Sequence, residues 1–273
     1  MRANSSQWKR IATAIDAVTR QAPIGIVRSG RGGSAPRVFS PGRGTRLGPD
    51  DQVVARVFEP EDLFDVEQFP TTQCLDGLAD VLIDLAWEDW DDDSRASGPP
   101  LSVLMHGPPG VAMTVLAHMC AWGLDADLVQ VFASAVLPSS NGGSQPIVAP
   151  AVNLARGRRS SVLFIDQLEA LAVADRQHVR RQRAMNDLLG EALRPNYRQA
   201  PVVIAAYGGH EAPHRRLTDR FDHIVIVDAA ESDDAEVAMV PARSLEGGVR
   251  TAPAHVRVQR PVLGRPSFMG SAA

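Results

Sequence analysis

The chain has 273 residues, room for one full α/β domain with flanking arms or for two small domains, and its 44% hydrophobic content is ordinary for a globular protein. With 28 basic and 32 acidic residues the formal net charge is −4, and no run approaches the roughly 18 to 20 consecutive apolar residues of a membrane span. Two cysteines, Cys74 and Cys120, both in apolar runs, rule out a disulfide framework, and none of the seven histidines pairs with either cysteine at the spacing of a zinc ligand set. The expectation is a soluble, cytoplasmic protein without a structural metal, built as one domain with long arms.

Lys9 is the one lysine; every other basic side chain is arginine. Residues 1–14 carry Arg2, Lys9 and Arg10 without an acid, a pattern shared with organellar transit peptides, but the apolar core and cleavage site of a secretory signal are missing. The Arg-for-Lys, Ala-rich bias points instead to a GC-rich bacterial coding sequence.

Taken in order, residues 6–22 space Trp8, Ile11, Ala12, Ile15 and Val18 three or four apart, and the first unit, 1–22, is predicted as an amphipathic helix. Residues 23–62 are predicted as a flexible linker that turns from basic to acidic. Its stretch 26–49 is dense in Gly, Pro, Ser and Arg, too poor in clustered apolar residues to offset the entropy of ordering it. An Arg/Gly run of this kind can bind nucleic acid, since arginine pairs with phosphate and stacks on bases, although a solvated tether is the commoner use. Acidic runs follow at Asp50–Glu67 and Glu88–Asp93, either solvated or available to the basic arm of this or a neighbouring subunit. Between them Cys74, Leu75, Leu78, Val81, Leu82 and Leu85 predict a one-faced helix over 72–87.

From 101 on, strand and helix alternate. Strands are predicted at 101–106 (LSVLMH), 128–134 (LVQVFAS), 161–166 (SVLFID), 201–207 (PVVIAAY) and 223–228 (HIVIVD), with helices at 114–122, 149–155 and 177–193. Short buried strands separated by helices define an α/β fold with a parallel sheet covered on both faces. The tail 229–273 is predicted to be mostly irregular, with a turn of helix near 234–240.

The chemistry gathers at the strand ends. GPPGVAMT (107–114) follows a strand and opens a helix, where backbone N–H groups and the helix N-terminus favour phosphate. Alone it marks any tight turn. SVLFID, however, ends in Asp166, where a nucleotidase needs a carboxylate for the magnesium ion that bridges phosphates. PVVIAAY supplies a further strand, and RRLTDRFD (215–222) completes the series.

In this order and spacing the motifs resemble the AAA family of P-loop ATPases, over roughly 63–228. The resemblance implies an AAA-like core that binds ATP or ADP with magnesium. Gly107, Pro108, Pro109, Gly110, Val111, Ala112, Met113, Thr114 and Val115 would form the phosphate loop, and Asp65 and Val66 of LFDV would lie beside the adenine. Thr114 and Asp166 would hold the metal. Arg216 and Arg220 resemble the arginines that such subunits present to a neighbour's γ-phosphate, with a spacing one residue longer.

The departures are equally specific. Met113 stands at the family's lysine position, and Ala112 at a glycine position, where an alanine forced to φ > 0 would cost roughly 1 to 2 kcal/mol. The lost ammonium contact to phosphate is worth about 1.5 to 3 kcal/mol. Gln167 replaces the glutamate that acts as general base, a role worth about a hundred- to ten-thousandfold in rate. Tyr207 and Gly208 replace the polar sensor. The loop 137–145 lacks the aromatic that grips polypeptide, and 229–273 is too short and aperiodic for the family's helical lid. The expectation is a pseudo-ATPase, with nucleotide binding weak or lost, acting as scaffold or regulatory subunit in a homo- or hetero-oligomer with a competent AAA subunit. An active Mg-ATPase that remodels protein complexes is the alternative, needing a surrogate for the lysine such as Arg158 or Arg159. A nucleic-acid adaptor using residues 26–49 is the third reading.

Overall fold

A computed structural model describes residues 24–29, 37–39, 51–63, 73–91, 100–107, 111–137, 145–172, 178–195, 201–209, 212–226 and 238–241. In chain order the elements are β1 (Ile24–Ser29), β2 (Arg37–Phe39), β3 (Asp51–Phe58), α1 (Gln73–Asp91), β4 (Ser102–Gly107), α2 (Val111–Gly123), β5 (Asp127–Phe132), α3 (Ala133–Val136), α4 (Gln145–Arg156), β6 (Ser161–Asp166), α5 (His178–Ala192), β7 (Val202–Gly208), α6 (Arg215–Thr218), β8 (His223–Ile226) and β9 (Ala238–Pro241). Short 3₁₀ turns stand at Pro60–Asp62 and Leu168–Leu171.

All nine strands form one sheet in the order β2-β1-β3-β5-β6-β7-β4-β8-β9. The five strands β5, β6, β7, β4 and β8 run parallel, as the alternation of strands and helices predicts. Strand β7, which the run PVVIAAY forms, lies between β4 and β6. At both edges the sheet turns antiparallel, through β3, β1 and β2 on one side and β9 on the other.

Because successive side chains on a strand point to opposite faces, each central strand feeds two cores. Val103, Met105, Phe164 and Ile204 pack with Leu82 of α1 and Leu116 of α2 on one face. Leu104, Val129, Ile165 and Val203 pack with Val152 of α4 and Leu188 of α5 on the other. Such residues are buried on both faces, which is why the strands read as continuous apolar runs. Helix α1 lies close on α2: a Cβ on Gly123 would collide with Cδ1 of Ile83. On the other face, Arg156 of α4 bridges Glu191 of α5 (Nη1 to Oε1, 2.7 Å), and its Nη2 also donates to the Glu191 carbonyl. Cys120 is buried, its thiol pushed up to about 12 by burial, as expected of a small core residue.

Two expectations are corrected. The segment 23–62 is not simply a linker, because it supplies β1, β2 and β3, and Val54, Ala55, Val57 and Phe58 of β3 are fully buried. Pairing with β5 overrides the weak local signal of this stretch. The tail likewise contributes β9, a strand antiparallel to β8 at 238–241 rather than a turn of helix. The helix expected over 6–22 lies outside the described residues, as does the loop 138–144.

Candidate functional site

The site forms at the carboxyl ends of the parallel strands, where an open α/β sheet leaves a crevice for a ligand. Strand β4 ends at Gly107 and α2 begins at Val111, so the segment between them joins a strand end to a helix N-terminus. Pro108, Pro109 and Gly110, like Asp65 and Val66, lie outside the described residues. Val111 and Ala112 are helical, and the left-handed backbone conformations among described non-glycine residues are at Asp125 and Gln167. The strain expected of Ala112 is therefore absent.

Met113 is 4% exposed and belongs to the apolar cluster between α2 and the sheet. Its thioether packs in the core, where a lysine would leave an ammonium stranded. Val115 is buried in the same cluster, and Thr114 is half-buried on the first turn of α2.

Asp166 closes β6. It lies two residues beyond Phe164, whose ring is in the α2 cluster, so strand alternation turns its carboxylate to the face that α2 covers. Gln130 of β5 reaches across to it, Nε2 donating to Oδ2 at 2.9 Å. Burial raises the Asp166 carboxyl above the usual range, the hydrogen bonds from Gln130 and the Gln167 backbone oppose the rise, and the charge of Glu169 adds to it. Gln130 is 3% exposed and its Oε1 is buried without a hydrogen-bond partner. An ionised oxygen ligand with an orphaned acceptor beside it fits a hydrated magnesium ion, which keeps several waters and takes one or two carboxylates plus phosphate oxygens. No group of three His, Cys, Asp or Glu side chains among the described residues could hold a metal without such outside ligands. Thr114 and Asp166 are the residues that would hold the ion, and when bound it would neutralise phosphate charge.

Gln167 has φ 60° and ψ 41°, and its Oε1 accepts from the hydroxyl of Ser134 at 2.8 Å. Two residues on, Glu169 stands on the 3₁₀ turn, and its Oε2 accepts from the backbone N–H of Gly208 at 2.8 Å. Gly208 is the register partner of Gly107, and Gly209 N–H donates to the Gly107 carbonyl at 3.0 Å. Tyr207 packs edge-on against His106 with ring centroids 5.8 Å apart.

The arginines divide. Arg216 is exposed on α6, whereas Arg220 is half-buried and donates to Oδ1 of Asn186 on α5 at 3.1 Å. Burial lowers the Arg220 pKa from its ordinary value. Asp222 pins this segment to β4, its Oδ2 accepting from Ser102 N (3.0 Å) and Oγ (2.7 Å). Arg158 bridges Asp127 (3.0 Å) and Glu59 (3.5 Å). Asp127 and Ser161 pair at the amino ends of β5 and β6, so Arg158 lies about 16 Å along the strand from Asp166. The proposed surrogate for the lysine is at the wrong end of the sheet.

Gly107, Met113, Thr114, Asp166 and Gln167, all legible in the sequence, lie at the ends of β4 and β6 and the start of α2, whereas Gln130, Ser134 and Glu169 join the site only through the fold. Gln130 left a signal, a lone amide in the apolar run LVQVF; Glu169 left one too, an acid on the turn just beyond Asp166.

Known proteins give this crevice a class. Residues 103–229 match the model of the ATPase family associated with various cellular activities (AAA). The chain is 28% identical over 192 residues to proteasome-activating nucleotidase 1 of Halobacterium salinarum, covering 67% of this chain and 47% of that protein. It is 34% identical over 73 residues to the 26S proteasome regulatory subunit S10B homolog B of Arabidopsis thaliana, covering 27% of this chain and 18% of that protein. It thus spans less than half the length of these relatives. Among solved structures, the FIGL-1 AAA domain superposes with a TM-score of 0.49 at 19% identity, over 64% of this chain and 57% of that one. Over that span, residues 103–229 are similar to an AAA-family P-loop core. No helix among the described residues is long and apolar enough to cross a membrane.

Proposed function

We propose that this chain is an AAA-type nucleotide-binding protein that hydrolyses ATP weakly or not at all and serves as a scaffold or regulatory subunit of an AAA assembly. The observation that carries the reading is Met113: the family's lysine position is filled by a side chain sealed in the core. Gln167 supports it, since an amide can orient a water but cannot take its proton, and here its carbonyl is already engaged by Ser134. What remains suits binding: the end of β4 at Gly107 with the N-terminus of α2 following it, half-buried Thr114 and the carboxylate of Asp166. Arg216, exposed and ahead of the Asp222 anchor, is the arginine this subunit would lend to a competent neighbour; Arg220 acts as a strut to Asn186. That the matched relatives include a proteasome-activating nucleotidase and a proteasome regulatory subunit by name supports assembly with AAA partners.

The test is phosphate release from Mg-ATP by the purified chain. The expected rate is indistinguishable from the protein-free background. Steady turnover in the ordinary enzyme range, about 1 per second or faster, would overturn the pseudo-ATPase reading.

A further inference from the structure

We infer that Gln130 is a positioning residue for the divalent cation that Asp166 would hold: its amide occupies one carboxylate oxygen, makes Asp166 a one-oxygen ligand and so favours magnesium over calcium. The inference rests on the metal-holding reading of Asp166 and adds what sets the choice of cation at that same site.

The starting observation is an amide in the middle of a core strand. Strand β5 reads DLVQVF, and Gln130 is 3% exposed between Val129 and Val131, both fully buried. Such a position ordinarily takes an apolar side chain. Gln130 pairs in register with Phe164 of β6, so Asp166 stands two residues, about 7 Å, further toward the carboxyl end on the same face. A glutamine leaning along the strand spans that offset, and its Nε2 donates to Asp166 Oδ2 at 2.9 Å. The side chain of asparagine is one methylene shorter.

Gln130 is poorly explained as a core residue. Among the described residues its side chain bonds Asp166, while its Oε1 stays buried without a donor. A buried carbonyl left in that state destabilises the fold, and an apolar side chain would avoid the cost. What the amide provides is control of one oxygen of a carboxylate that also accepts from the Gln167 backbone N–H.

That control bears on which cation fits. Calcium takes roughly six to eight oxygens in a flexible shell and accepts both oxygens of one carboxylate. Magnesium is smaller, holds to an octahedron, keeps several waters and takes few protein oxygens. A cation chelated by both oxygens of Asp166 would meet the N–H of Gln130 at Oδ2. A cation on Oδ1 alone would not.

The test is a competition titration of the full chain without nucleotide. Manganese(II) is bound first, magnesium or calcium is added to displace it, and free manganese is read by electron paramagnetic resonance. Wild type is compared with Gln130→Met, which keeps the volume and loses the donor, with Gln130→Asn, which keeps the donor and loses the reach, and with Asp166→Asn. We expect wild type to prefer magnesium, and both Gln130 variants to lose about tenfold in magnesium affinity while calcium loses less, so that the preference shrinks. Thermal melts confirm folding, and Gln130→Asn decides the matter should Gln130→Met not fold. A preference unchanged in the folded variants, or both cations weakened alike, would show that Gln130 only braces a half-buried carboxylate, and would overturn the inference. Wild type without a preference for magnesium would overturn it too. Manganese that fails to bind wild type, or that binds Asp166→Asn equally well, would contradict the metal-holding reading itself, so the two failures are distinguishable.

Discussion

A lysine at position 113 would have to carry its ammonium out of the apolar cluster that Met113 fills, and the cluster is closed around that side chain. The substitution is thus coupled to packing as well as to charge. Asp166 shows the converse cost of keeping a functional group. Its carboxyl is raised, so between its unfolded value near 3.8 and its folded value the native state binds the extra proton and stability falls as pH rises. Above that window the ionised, partly desolvated carboxylate is a fixed burden. Asp166→Asn should therefore raise the thermal midpoint at pH 7, and the gain should shrink as pH is lowered through the carboxylate range. A variant no more stable than wild type at pH 7 in thermal melts would show that Gln130 and the Gln167 N–H fully compensate the burial.

At the scale of elements, the stretches with a strong local pattern were legible. SVLFID falls on β6 residue for residue, and PVVIAAY and LSVLMH are displaced by one. These strands are buried on both faces, so composition alone marks them. Strand β3 was not legible, although Val54, Val57 and Phe58 were in plain view, because acidic residues and prolines flank it and its partner β5 lies some 70 residues away along the chain. Such pairing leaves no periodicity to read. The consequence is measurable: Phe58 is fully buried against the α1/α2 core, and Phe58→Ala should cost about 3 to 5 kcal/mol in urea unfolding. A loss below about 1 kcal/mol would mean that the strand is the dispensable arm its sequence suggests.

At the scale of the whole molecule, the order of motifs predicted the family and the parallel centre of the sheet, while the antiparallel edges and the side chains that brace the site appeared only in three dimensions. Gln130, Ser134 and Glu169 come from β5, α3 and a turn, and each is defined by what it touches: Asp166, Gln167 and Gly208. A sequence shows which motif residues are lost; it does not show that their neighbours have closed over the gap.

The central claim is that the crevice still binds nucleotide without the lysine, through the loop, Thr114 and Asp166. Calorimetric titration with Mg-ADP of wild type, Thr114→Ala and Met113→Lys tests it most directly. Wild type should bind measurably, Thr114→Ala should not, and Met113→Lys should gain nothing, because the closed apolar cluster keeps its ammonium from phosphate. Wild-type binding that survives Thr114→Ala unchanged, or no heat from wild type at all, would contradict it.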